Sequence, residues 1–157
     1  MKFFDSHAHY NDEKFNEDRE ELIQKIYDEG ITKLVNAGYS LESSKQALET
    51  AKKYNWMYTI SGISPNDIPE NANELNKELK QLEELIKNEI LVENNEQSTN
   101  QKISENSKKL DTKIVAVGEI GLDYYWNKDN IELQRMAFIE QIKLANKLKL
   151  PIVIHTR

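Results

Sequence analysis

Phe3-Phe4-Asp5-Ser6-His7-Ala8-His9 stands near one end of the 157 residues and Ile152-Val153-Ile154-His155-Thr156-Arg157 at the other. Both are short apolar runs that close on histidine, and together they hold all three histidines of the chain. Residues i and i+2 of a strand share a face, so His7 and His9 can offer two imidazoles to one point. Neutral imidazole is the commonest protein ligand for a divalent transition metal. One isolated histidine would read as a satisfied or surface residue. Three at strand ends, two of them as His-x-His after an aspartate, point to a metal site.

Outward from these runs, strand-like and helix-period segments alternate, the pattern of a parallel sheet with crossover helices. The sequence predicts strands over Lys2 to His7, Ile31 to Ala37, Trp56 to Ile63, Ile114 to Ile120 and Pro151 to His155. Helices are predicted over Asp18 to Glu29, stopping at Gly30, then Leu41 to Tyr54, Asn73 to Glu89 and Ile131 to Leu148. Leu75, Leu79, Leu82, Leu85 and Ile86 form one apolar face of the third helix. From Glu93 to Lys109 the chain is rich in Asn, Glu, Lys and Ser, and such a stretch buries too little to offset the entropy of ordering it. It reads as a mobile insertion. No aromatic residues alternate with basic ones there, which argues against a nucleic-acid-binding arm.

Twenty-one Lys and Arg against twenty-seven Asp and Glu leave a net charge of −6. That excludes broad attraction to nucleic acid or anionic membrane, though a bound divalent cation can still dominate a site locally. The absence of cysteine removes disulfides and thiolate chemistry. No apolar run approaches the roughly 20 residues that span a bilayer, and no secretory pattern opens the chain. The expectation is a soluble, cytoplasmic protein with no membrane partner.

In parallel α/β folds the ligand-binding groups gather at the carboxyl ends of strands. Here Asp5-Ser6-His7-Ala8-His9, Val117-Gly118-Glu119-Ile120-Gly121-Leu122-Asp123 and His155-Thr156-Arg157 occupy those ends. Glu119 interrupts a strand that is otherwise apolar on both faces. A carboxylate buried there requires a cation or strong hydrogen-bond donors, capping of the next helix being the other reading.

At these residues the chain resembles the TatD family of metal-dependent hydrolases, within the amidohydrolase superfamily of distorted TIM barrels. The resemblance rests on Phe4-Asp5-Ser6-His7-Ala8-His9, Val117-Gly118-Glu119-Ile120-Gly121-Leu122-Asp123-Tyr124-Tyr125, Gln134 with Phe138, and Leu150-Pro151-Ile152-Val153-Ile154-His155-Thr156-Arg157. It implies a partial TIM-like barrel of about five parallel strands, since 157 residues fall short of the roughly 250 of a closed (β/α)₈ barrel. It further implies a phosphodiester hydrolase acting on DNA ends with divalent metal: magnesium, manganese or zinc. By motif, His7 and His9 would bind one metal, Glu119 would be the catalytic carboxylate that binds or bridges metals, and His155 would bind a neighbouring one. Asp5 would orient a histidine from behind.

Arg157 points the same way as His155 and can hold phosphate in a fork that lysine cannot match, a solvated arginine being the competing reading. Tyr124 and Tyr125 can stack on a nucleobase or pack in the loop, and Asp123 reads first as a cap. Where the family carries His-Pro after its third strand, this chain has Gly62-Ile63-Ser64-Pro65-Asn66-Asp67. Ser64 and Asn66 can hydrogen-bond phosphate but cannot shuttle a proton near neutral pH. The family's later histidine and late aspartate have no counterpart, so the 157 residues alone are expected to turn over DNA poorly. Two alternatives stand beside this reading: a hydrolase of a small amide, lactone or phosphoester on the same barrel, and a non-catalytic half-barrel. Nothing in the sequence sets the oligomeric state, but five unclosed strands leave two edges and an interior that something must cover.

Overall fold

A computed structural model describes residues 1–96, 112–126 and 128–157. Five strands, β1 (Phe3–Ala8), β2 (Ile31–Ala37), β3 (Met57–Ser61), β4 (Ile114–Leu122) and β5 (Ile152–Thr156), pair in parallel and in sequence order. The helices α1 (Arg19–Asp28), α2 (Leu41–Lys52), α3 (Ala72–Glu96) and α4 (Ile131–Leu148) make the crossovers. Every crossover returns to the next strand without a reversal of order, so the sheet curls as a half-barrel and does not open as a doubly wound sheet.

Alternation along the strands sorts two apolar layers. Leu34 and Met57 pack with Ile23 of α1, while Ile114, Val117 and Ile120 join Leu75, Leu82 and Ile86 of α3. On the opposite face Val35, Ala37, Ile60 and Ala116 form a cluster of strand residues, with Tyr58 and Val153 against it. The predicted stripe on α3 is therefore core: Leu75, Leu82 and Ile86 are fully buried, with Leu79 and Leu85 partly so.

Local chemistry sets the boundaries. Ser40 caps α2 by accepting the Ser43 N–H at 3.1 Å. Lys149 closes α4 in the left-handed region at φ 56°, and Leu150 N–H reaches the Ala145 carbonyl at 3.0 Å before Pro151 ends any continuation. β4 runs two residues beyond its predicted end because Gly121 and Leu122 pair with His155 and Thr156. Gly121 has φ +149°, and a Cβ there would lie 1.9 Å from the His155 carbonyl oxygen, so only glycine lets β4 and β5 zip this far. α3 extends to Glu96, past the predicted Glu89, and takes in the first residues of the expected insertion. Residues 97–109 of that insertion lie outside the described residues.

The expected open edges are present. Phe4 on β1 is 62% exposed and Ile154 on β5 is 51% exposed, although both belong to strands. No helix among the described residues is long and apolar enough to cross a membrane.

Candidate metal centre

The carboxyl ends of β1, β4 and β5 bring His7, His9, Glu119 and His155 together, as the strand-end rule requires. Ligand atoms of His7, His9 and Glu119 all lie within 4.8 Å of one another. Glu119 Oε2 is 3.4 Å from His7 Nε2 and 3.8 Å from His9 Nε2, and the two histidine nitrogens are 3.1 Å apart. His9 Nδ1 lies 3.0 Å from the Ala37 carbonyl oxygen, which can only accept. That contact assigns the His9 proton to Nδ1 and leaves Nε2 as a lone pair aimed at His7 and Glu119. Two imidazoles and a carboxylate with converging ligand atoms fit a divalent cation of the zinc or manganese type.

Glu119 is held from behind. Its backbone N–H donates to Gly38 O at 3.1 Å, and its side chain is 16% exposed. Oε1 faces His155 Nδ1 at 2.9 Å, and the other ring nitrogen of His155 faces Asp123 Oδ2 at 3.0 Å. Both nitrogens of His155 therefore meet carboxylates, unlike those of His9. Burial pulls the His155 pKa down, but hydrogen bonds to Asp123 and Glu119 and their charges outweigh it and raise the value above normal. Burial pushes Asp123 up, yet hydrogen bonds from His155, Asn66 and the backbone N–H groups of Tyr125 and Trp126 bring its carboxyl down to about 2. Nearby Asp67 is raised, first by burial and, against the Ser64 hydrogen bond, by the Glu119 charge. The surroundings are acidic and suited to cations.

The remaining sequence candidates fall in distinct places. Asp5 stands behind the histidines but takes the backbone N–H of His7 at 3.1 Å, not a ring nitrogen. Ser64 is buried and its hydroxyl donates to Asp67, while Asn66 Nδ2 donates to Asp123 Oδ2 at 3.1 Å. Arg157 and Tyr125 lie at the rim, the guanidinium carbon 4.4 Å from the tyrosine ring centroid. Asp123 is both the cap expected of it, accepting from Tyr125 N–H at 3.0 Å, and the partner of His155.

The sequence marks Gln134 only as part of the resemblance, without a role, and leaves Gln141 unmarked. Gln134 Oε1 accepts the Asp123 N–H at 2.9 Å and its Nε2 donates to the Asp123 carbonyl at 3.0 Å. Seven residues on, Gln141 clamps Ile63 in the same way, at 2.7 and 3.0 Å. Both are fully buried on one face of α4. The available signal was amide side chains spaced i, i+7 on an otherwise apolar face.

A sequence-ordered parallel half-barrel with histidines and carboxylates gathered at its strand ends defines the class as a TIM-like barrel with a candidate metal site at the carboxyl ends of its strands. The profile of TatD related DNase matches residues 4–157, and the chain belongs to that family. It is 32% identical over 154 residues to the uncharacterized metal-dependent hydrolase YabD of Bacillus subtilis, covering 98% of this chain and 50% of the relative. The 3'-5' ssDNA/RNA exonuclease TatD of Escherichia coli is 25% identical, with 98% and 49% covered. The crystal structure of YjjV, a TatD homolog from Escherichia coli, superposes with a TM-score of 0.76 at 26% identity, covering 99% of this chain and 51% of that one. An uncharacterized amidohydrolase from Saccharomyces cerevisiae shares the fold, with a TM-score of 0.74 at 21% identity and 100% and 48% coverage. The chain thus spans about half the length of the curated relatives it matches.

Proposed function

We propose that this chain carries the first metal centre of a metal-dependent phosphodiester hydrolase that acts on the ends of single-stranded DNA, in the cytoplasm and without a membrane partner. The observation that carries the reading is the convergence of His7, His9 and Glu119, with the tautomer of His9 set by Ala37. When bound, a divalent cation (magnesium, manganese or zinc) supplies Lewis acidity at a phosphoryl oxygen and eases deprotonation of the attacking water. His7, His9 and Glu119 hold it. His155, whose two ring nitrogens meet Glu119 and Asp123, would hold a neighbouring cation. Arg157 and Tyr125 orient the phosphate and base, and Ser64 and Asn66 support that corner through Asp67 and Asp123. Neither Glu119, which faces histidines, nor Asp123, which is bound on both oxygens, is assigned to deprotonate the water.

The test uses chelator-stripped protein resupplied with each metal on single-stranded DNA carrying a free end. Metal uptake with weak cleavage that Glu119→Ala abolishes supports the reading. Hydrolysis of small lactones or amides but not DNA favours the small-molecule alternative, for which the shared yeast amidohydrolase fold is the supporting observation. Failure of calorimetry to detect any metal binding overturns both and leaves the non-catalytic half-barrel.

A further inference from the structure

The rim beside Asp123 carries an aromatic and cationic cluster that the metal centre does not use. Arg157 lies over Tyr125 and sits 5.3 Å from the Trp126 ring centroid, and the two rings meet edge-on at 4.8 Å and 89°. Tyr125 and Trp126 are 61% and 66% exposed. They are nevertheless anchored. Asp123 Oδ1 accepts the N–H of Tyr125 and that of Trp126, at 3.0 and 3.4 Å. The Tyr124 N–H donates to the Arg157 carbonyl and the Arg157 N–H to Leu122, each at 3.1 Å.

In so acidic a neighbourhood an arginine would ordinarily pair with a carboxylate, yet Arg157 forms no ion pair among the described residues. With its carbon 4.4 Å from the Tyr125 centroid and no carboxylate partner among the described residues, the planar guanidinium keeps its donors for a phosphate. Trp126 stands perpendicular to Tyr125 with most of its surface in solvent. A cation at fixed distance from an open indole matches one nucleotide unit of a single strand: phosphate on the guanidinium, base on the indole.

We propose that Trp126, with Arg157 and Tyr125, forms a subsite for one unpaired nucleobase and its adjoining phosphate. The inference rests on the nucleic-acid reading above and deepens it. Every base has a π-face, so the subsite accepts any base. In a duplex both faces are already stacked, so the rim selects strandedness and not sequence.

The test is equilibrium binding in chelator, where neither metal nor turnover enters. A short oligothymidylate is titrated into a Trp56→Phe protein, in which Trp126 is the remaining tryptophan. Saturable quenching is expected, with little from the same strand made abasic or from a blunt duplex. By anisotropy of a labelled strand, Trp126→Ala should bind about tenfold more weakly and Trp126→Phe should recover most of the loss. Equal affinity of Trp126→Ala and wild type, or equal binding of the abasic strand, overturns the subsite. If Trp126→Ala does not fold, Trp126→Phe and the abasic strand decide the matter. Quenching without any metal binding by calorimetry would keep the subsite and overturn the hydrolase reading, while metal binding without quenching would do the reverse. A segment of protein packed over the rings would show as no quenching by any strand.

Discussion

On the β1 side of the strand-end cluster, His7 and His9 sit on and just beyond an edge strand with partly exposed rings, fixed by one contact to Ala37 and one to Asp5. On the β4–β5 side, Glu119, Asp123 and His155 are braced among themselves and by Asn66, Gln134 and the Gly121 pairing. Carboxylates face bare imidazole nitrogens in one half and are saturated with donors in the other. One half is arranged to accept a cation and the other to hold a geometry, so binding and stability should separate by mutation.

Glu119 belongs to both halves, and its loss should have the largest effect. Glu119→Ala is expected to weaken divalent-metal binding by at least about 100-fold by calorimetry, since a direct ligand should exceed the effect of groups behind ligands. A smaller loss would mean that His7 and His9 bind without the far side. On the β1 side alone, His9→Ala also removes a direct ligand and should cost about 100-fold in metal affinity, the low end of the loss expected for Glu119→Ala, and leave the urea midpoint of metal-free protein unchanged. Wild-type affinity should also fall as pH falls, because a ligating imidazole must be neutral. Equal isotherms for wild type and His9→Ala would remove the first-strand site.

The braced side should show the opposite signature. Gln134→Ala strips both backbone groups of Asp123 of a buried partner and should destabilise the fold by about 1–3 kcal/mol in urea unfolding. Its metal affinity should change less than that of His9→Ala. The smallest effect expected is a pH dependence of metal-free stability. His155 has a raised folded pKa, so its contribution is full below its unfolded value of about 6.5 and is lost as pH rises through the folded value. Asp123, lowered to about 2, contributes above its ordinary value near 3.8 and loses that contribution as pH falls toward 2. Urea midpoints in chelator should therefore be higher near pH 5 than near pH 9. His155→Asn should reduce that difference; an unchanged profile would mean that the ring does not brace the carboxylates through its charge.

Periodicity alone determined the five strands, the order of helices between them and the apolar face of α3, because burial repeats with the geometry of each element. Motif position likewise determined that His7, His9, Glu119 and His155 share one end of the sheet, since parallel strands all point the same way. What only the tertiary structure decided was the division of labour among them. That His9 presents Nε2 depends on a carbonyl 28 residues away, and that His155 meets two carboxylates depends on how far β4 and β5 zip past Gly121. Ser64 and Asn66 are committed to Asp67 and Asp123, and Gln134 to the Asp123 backbone, through contacts that no local pattern encodes. The physical reason is one of range: burial follows the repeat of a single element, whereas hydrogen-bond partners and charge states depend on which atoms of distant elements come within 3 Å.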